Sequence, residues 1–129
     1  MELTIDAVER LAGECARRFE RTAAAAIAAR GEFSCALPGG SVAENCFPAL
    51  ARAAVDWSRT RFFWCDERAV PASDPQSNYG LAARLLLRQL DGPAGHVHRM
   101  PADEGDLSRA AARYEAEMRG ALGDRPRID

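Results

Sequence analysis

The sequence predicts an α/β fold, a Rossmann-like parallel sheet with flanking helices. Three observations carry this expectation. Stretches with apolar residues every three or four positions alternate with short, dense apolar runs. Those runs, at 33–37 and 60–65, are too short for helices and end in turn or polar residues. The resulting order of helix, strand, helix, strand, helix, strand, helix is the one that right-handed crossovers build between parallel strands. At 129 residues the chain has the length of one domain.

Each element has its own warrant. From Ile5, the positions Val8, Leu11, Ala12, Cys15, Phe19, Ala23 and Ile27 repeat at helical spacing, and Gly31 follows as a stop. Phe33 to Leu37 reads as a buried strand feeding the turn Pro38-Gly39-Gly40-Ser41. A second helix is expected to start near Ser41, with Val42, Cys46 and Leu50 on one face and Pro48 kinking or splitting it. Thr60 to Cys65 holds Phe62, Phe63 and Trp64, dense enough for burial on both faces. Asn78 to Leu90 repeats Leu81, Leu85 and Leu86, with Ser77 or Asn78 as cap and Asp91-Gly92-Pro93 as its end. His96 to Met100 is expected as a short third strand. Leu107, Ala111, Tyr114, Met118 and Leu122 form a last helical stripe.

Composition narrows the function. With 47% apolar and 28% charged residues and a net charge of -2, the chain reads as soluble and globular and offers no basic footprint for nucleic acid, so a small molecule is the expected partner. All 17 basic residues are arginine, so an anion site must use Arg forks, backbone N–H groups or hydroxyls. Cys15, Cys35, Cys46 and Cys65 lack zinc or redox spacing and read as small buried hydrophobes. His96 and His98 are read as pointing to opposite faces of their strand, which keeps them from sharing a metal; no metal and no cofactor are expected. Trp57 and Tyr114 are expected to pack rather than stack on a base. No apolar leader follows Met1 and no run is long enough to span a bilayer, so no membrane is expected and the cytoplasm is the expected setting.

In parallel α/β folds, ligands sit beyond the carboxyl ends of the strands. Two features fall there. Gly39 and Gly40 leave room for a ligand at the start of a helix, whose unpaired N–H groups suit a phosphate, and Ser41 adds a hydroxyl while capping that helix. The alternative is an ordinary tight turn. Asp66-Glu67-Arg68 follows the aromatic strand, and Arg68 could donate two parallel hydrogen bonds to one phosphate. Here the alternative is a polar loop with an internal salt bridge. Helix capping explains Ser77 and Asn78 without any ligand.

The segments LPGGSVAENCFPAL, VDWSRTRFFWCDERAVPASDPQSNYGLAARLLL and HVHRMPAD resemble the 6-phosphogluconolactonase family, within the glucosamine-6-phosphate isomerase/deaminase superfamily. The resemblance implies hydrolysis of 6-phospho-D-glucono-1,5-lactone to 6-phospho-D-gluconate in the pentose phosphate pathway. It assigns the phosphate to Gly39, Gly40, Ser41 and Arg68, the sugar end of the pocket to Asp66 as a catalytic candidate, and loop ordering to Ser77 and Asn78. The sister activity, isomerising deamination of an amino sugar phosphate, is the alternative, as is a non-catalytic remnant; Arg68 and the Ser77-Asn78-Tyr79-Gly80 run favour the lactonase. Many members carry Thr-Pro after Gly-Gly-Ser, where this chain has Val42-Ala43.

Arg127-Ile128-Asp129 looks like the start of the family's next strand, and the Gly-x-Gly-x-Asp-Gly-His-type segment with the water-activating histidine is not in this sequence. Residues 1–129 are therefore expected to be a single partial domain, the N-terminal portion of a larger doubly wound one. Such a chain is expected to be inactive alone and able to self-associate through an exposed sheet edge.

Overall fold

A computed structural model describes residues 6–90 and 95–129. Three parallel strands form one sheet in the order β1-β2-β3, with β1 at Phe33–Leu37, β2 at Thr60–Trp64 and β3 at His96–Val97. The helices are α1 (Val8–Arg30), α2 (Gly40–Leu50), α3 (Asn78–Leu85) and α4 (Leu107–Leu122), with one-turn 3₁₀ segments at Trp57–Arg59 and Leu87–Gln89. The predicted start at Ile5 and the predicted stop at Asp91-Gly92-Pro93 lie outside the described residues.

Strand alternation sorts the two faces of the sheet. Phe33, Cys35, Leu37, Phe62 and Trp64 join one core with residues of α1, α2 and α3. Within it, Trp57 lies 5.8 Å from Phe19 and 6.0 Å from Phe62, and Phe19 meets Phe33 edge-on at 5.0 Å. This is the offset and edge-to-face geometry that aromatic quadrupoles favour. On the opposite face Phe63 packs under Tyr114 of α4 at 6.4 Å. The Tyr114 hydroxyl accepts a 3.0 Å hydrogen bond from the Trp64 backbone N–H, so α4 satisfies a strand donor that the short β3 does not reach.

Of the four cysteines expected as small buried hydrophobes, Cys35 is buried and Cys15 and Cys46 are half-buried. Burial pushes the Cys15 thiol up to about 11, with the neighbouring Cys46 adding to the effect, and burial pushes Cys35 up further. Cys65 differs, being exposed just past β2.

Several expectations are corrected. Pro48 does not split α2, which runs unbroken to Leu50; the proline sits in the last turn, close to where the helix ends in any case. Helix α3 stops at Leu85 because Leu86 leaves helical geometry at φ -125° and ψ -71°, and a 3₁₀ turn completes the segment. Strand β3 has two residues rather than five, although the His98 N–H still bonds to the Phe62 carbonyl at 2.8 Å. Only Ala110 and Tyr114 of α4 are buried, whereas Leu107 is 52% exposed and Met118 lines a groove of about 440 Å³.

At the free edge of β1 the last residues of the chain come alongside. The Asp129 N–H donates to the Ser34 carbonyl at 3.2 Å, and its carboxylate accepts from the Ser34 N–H at 3.0 Å and hydroxyl at 2.9 Å. Arg30 pairs with the same carboxylate. Leu11, Cys15, Phe19, Cys35 and Ile128 line a 670 Å³ cleft beside this edge.

Candidate functional site

Strand β1 delivers the chain to the glycine turn. Gly39 is extended, at φ -108° and ψ -169°, and precedes α2 without a side-chain cap. Gly40 opens the helix at φ +60°, in the left-handed region that favours glycine. The helix therefore begins one residue earlier than expected. Ser41 is an exposed first-turn residue and not the cap, so no capping side chain competes for the first-turn N–H groups.

Strand β2 delivers Asp66, Glu67 and Arg68, and the charge that organises this loop is Glu67. Its carboxylate accepts from the backbone N–H groups of Arg68 at 2.7 Å, Asn78 at 2.7 Å and Tyr79 at 2.8 Å, and from the Ser77 hydroxyl at 3.1 Å. Ser77 is the cap of α3, its Oγ also accepting from the Gly80 N–H at 3.0 Å. The start of α3 is thus already filled by an anion from the chain itself, which suits the positive end of the helix dipole.

Sequence reasoning gave Glu67 no role beyond a possible salt bridge within its loop. The carboxylate takes N–H and O–H donors instead, and the Arg68 guanidinium has no hydrogen-bond or ion-pair partner among the described residues. The preference of carboxylates for helix starts was the available signal, but the ten-residue separation from Ser77 hides it from local patterns.

The two strand ends are joined through Asn78. This side chain is 4% exposed, and its Nδ2 donates to the Asp66 carbonyl at 3.0 Å. Its amide also lies against Gly39, where an added Cβ would overlap it. The structure thus links Gly39, Asn78, Asp66 and Glu67 in one contact chain, with exposed Gly40, Ser41 and Arg68 adjoining its members in sequence. Beneath lies an aromatic layer: Tyr79 sits 5.4 Å from Trp64, and the Arg99 guanidinium lies 5.4 Å over the Tyr79 ring while pairing with Asp103 at 2.7 Å.

The histidine reading needs correction. His96 and His98 rings lie 6.4 Å apart and share a face, because residues two apart on a strand point the same way. His98 stacks on Phe63 at 4.6 Å and its Nδ1 meets a Glu117 carboxylate oxygen at 2.7 Å, which makes it a packing residue. Among the described residues no group of three or more His, Cys, Asp or Glu side chains is placed to hold a metal ion. No helix among them is long and apolar enough to cross a membrane.

A parallel sheet with helices on both faces, and candidate polar residues gathered where its strands end, defines a Rossmann-like α/β protein. The chain belongs to the glucosamine-6-phosphate isomerase/6-phosphogluconolactonase family, whose sequence profile matches residues 6–129. It is 40% identical over 93 residues to a 6-phosphogluconolactonase of Synechocystis, covering 72% of this chain and 39% of that protein. A Mycobacterium leprae 6-phosphogluconolactonase is 39% identical over 111 residues, covering 81% of this chain and 45% of its own length. The crystal structure of a 6-phosphogluconolactonase from Shewanella baltica superposes with a TM-score of 0.80 at 25% identity, over 97% of this chain and 52% of that one. The chain thus spans about half the length of the relatives it matches, or somewhat less.

Proposed function

We propose that residues 1–129 form the N-terminal, phosphate-binding portion of a 6-phosphogluconolactonase domain. The observation that carries this reading is the Asn78 link, which ties the glycine turn opening α2 to the loop bearing Arg68. On this reading the N–H groups at Gly39 to Ser41, the Ser41 hydroxyl and the Arg68 fork, which has no partner among the described residues, hold the phosphate of 6-phospho-D-glucono-1,5-lactone. Asp66 borders the sugar. Family membership and the lactonase relatives support the substrate class.

The chemistry is attack of a base-activated water on the ring carbonyl, with donors stabilising the oxyanion and no metal or cofactor taking part. Gripping the remote phosphate holds the carbonyl in place, so binding energy away from the reacting bond lowers the barrier. Val42 and Ala43 supply no hydroxyl to that grip. The Gly-x-Gly-x-Asp-Gly-His segment is not in this sequence, so the chain binds while proton transfer belongs to residues it does not contain. Four free thiols are in keeping with a cytoplasmic setting.

The test pairs an assay with a titration. The 129-residue chain should bind 6-phosphogluconate and show no lactone hydrolysis above background, and Arg68→Ala should weaken the binding at least tenfold, about the effect of losing a charge-assisted pair. Fusing the C-terminal half of a family lactonase should restore turnover. Equal binding by Arg68→Ala rejects the phosphate role, whereas turnover of glucosamine 6-phosphate by the fusion favours the sister activity.

A further inference from the structure

We infer that Asn78 is the positioning residue that sets the distance between the two phosphate-binding elements, and that Gly39 is glycine in order to receive it. This inference rests on the phosphate reading above. The turn and the Arg68 loop come from different strands, and the backbone register that aligns those strands ends at Leu37 and Trp64, with one further bond from the Cys65 N–H to the Leu37 carbonyl at 3.0 Å. Beyond that bond, sheet geometry no longer fixes one element against the other. An anion held by both needs their separation constant to a few tenths of an ångström.

Asn78 supplies that constancy because it cannot move on its own. Its N–H is held by Glu67 at 2.7 Å, its Nδ2 by the Asp66 carbonyl at 3.0 Å, and the α3 backbone on either side by the Ser77 cap and the Glu67–Tyr79 bond. Loop 71–75 packs against α3 itself, since a Cβ on Gly80 would stand 2.7 Å from the Ala72 carbonyl, so the helix that carries Asn78 is held on that side as well. A buried amide fixed on these sides is a rigid spacer, and Gly39 rests directly against it. Any side chain at 39 would push the turn away from the loop. Asn78 need not touch substrate; it acts through the elements on either side.

The experiment measures dissociation constants of 6-phosphogluconate for the 129-residue chain and for Arg68→Ala, Asn78→Ala, Gly39→Ala and the Gly39→Ala/Asn78→Ala pair, with gluconate as the phosphate-free control. Each is measured where circular dichroism shows the variant folded. Asn78→Ala should weaken 6-phosphogluconate binding about tenfold and leave gluconate unchanged. The paired variant should bind no worse than the weaker single variant, because removing the Asn78 amide also removes the atoms that a Cβ at position 39 would strike. Asn78→Asp, which keeps the shape but loses the Nδ2 donor and sets a carboxylate against the Asp66 carbonyl and beside the anion, should weaken 6-phosphogluconate binding at least as much as Asn78→Ala, and it carries the test if the alanine variant does not fold. If Arg68→Ala weakens binding while Asn78→Ala and Asn78→Asp do not, the inference falls and the phosphate reading stands. Losses that multiply in the paired variant also overturn it. Failure of the wild-type chain to bind, or equal binding by Arg68→Ala, removes both.

Discussion

Glu67 shows how a single charged side chain can be structural at a candidate ligand rim. Four donors converge on its carboxylate, three of them backbone N–H groups that its loss would leave without that acceptor. Glu67→Ala should therefore cost about 2–4 kcal/mol, the scale for stranding several partly buried donors of a charged acceptor. Glu67→Gln, which keeps an acceptor oxygen but not the charge, should cost less. Urea midpoints at fixed slope measure both, and a change below about 0.5 kcal/mol for the alanine variant contradicts the anchoring role. The sequence exposed this rim only in part. Gly39, Gly40 and Arg68 stood out by residue type and position after strands, whereas the roles of Glu67 and Asn78 depend on contacts across ten residues or between separate strand ends, which periodicity does not encode.

At the scale of elements, period and punctuation made the helices and the first two strands readable, because burial of one face imposes its spacing on the residues. What they left open was how far each element runs and which side of α4 is covered. Tyr114 answers the second question. Burial pushes its phenol up to about 12, despite the Trp64 N–H that favours the ionised form. A folded value above the ordinary tyrosine range near 10 means that the neutral phenol stabilises the fold. That contribution is whole below about pH 10 and is lost as pH rises toward 12. Tyr114→Phe should lower stability by about 1–3 kcal/mol at neutral pH, by stranding the Trp64 N–H, and should flatten the alkaline limb. Denaturation midpoints from pH 8 to pH 12 check both, and an alkaline limb as steep in Tyr114→Phe as in the parent contradicts the assignment.

For the whole molecule, the decisive feature is the sheet edge at β1, where Asp129 meets Ser34 and an apolar cleft lies alongside. Such an edge invites another strand, and we expect the isolated chain to self-associate through it. Sedimentation from micromolar to near-millimolar concentration should show dimers or larger species, and a monomer throughout contradicts this. Acid should act at the same place. Burial raises the Asp129 carboxyl, but the Ser34 N–H and hydroxyl and the Arg30 guanidinium outweigh it and hold it below its ordinary value. Its contribution is present above about pH 4 and fades as pH falls through the folded value. Asp129→Asn should remove that part of the acid sensitivity. The two tryptophans carry a different consequence. Trp57 lies in the aromatic stack before β2 and Trp64 at its far end beside Tyr79, its indole N–H buried and unpartnered among the described residues. A Trp57→Phe chain would thus contain one tryptophan, seated under the rim, whose emission colour and quenching, excited beyond the tyrosine band, would follow occupancy of the site optically, with no label attached.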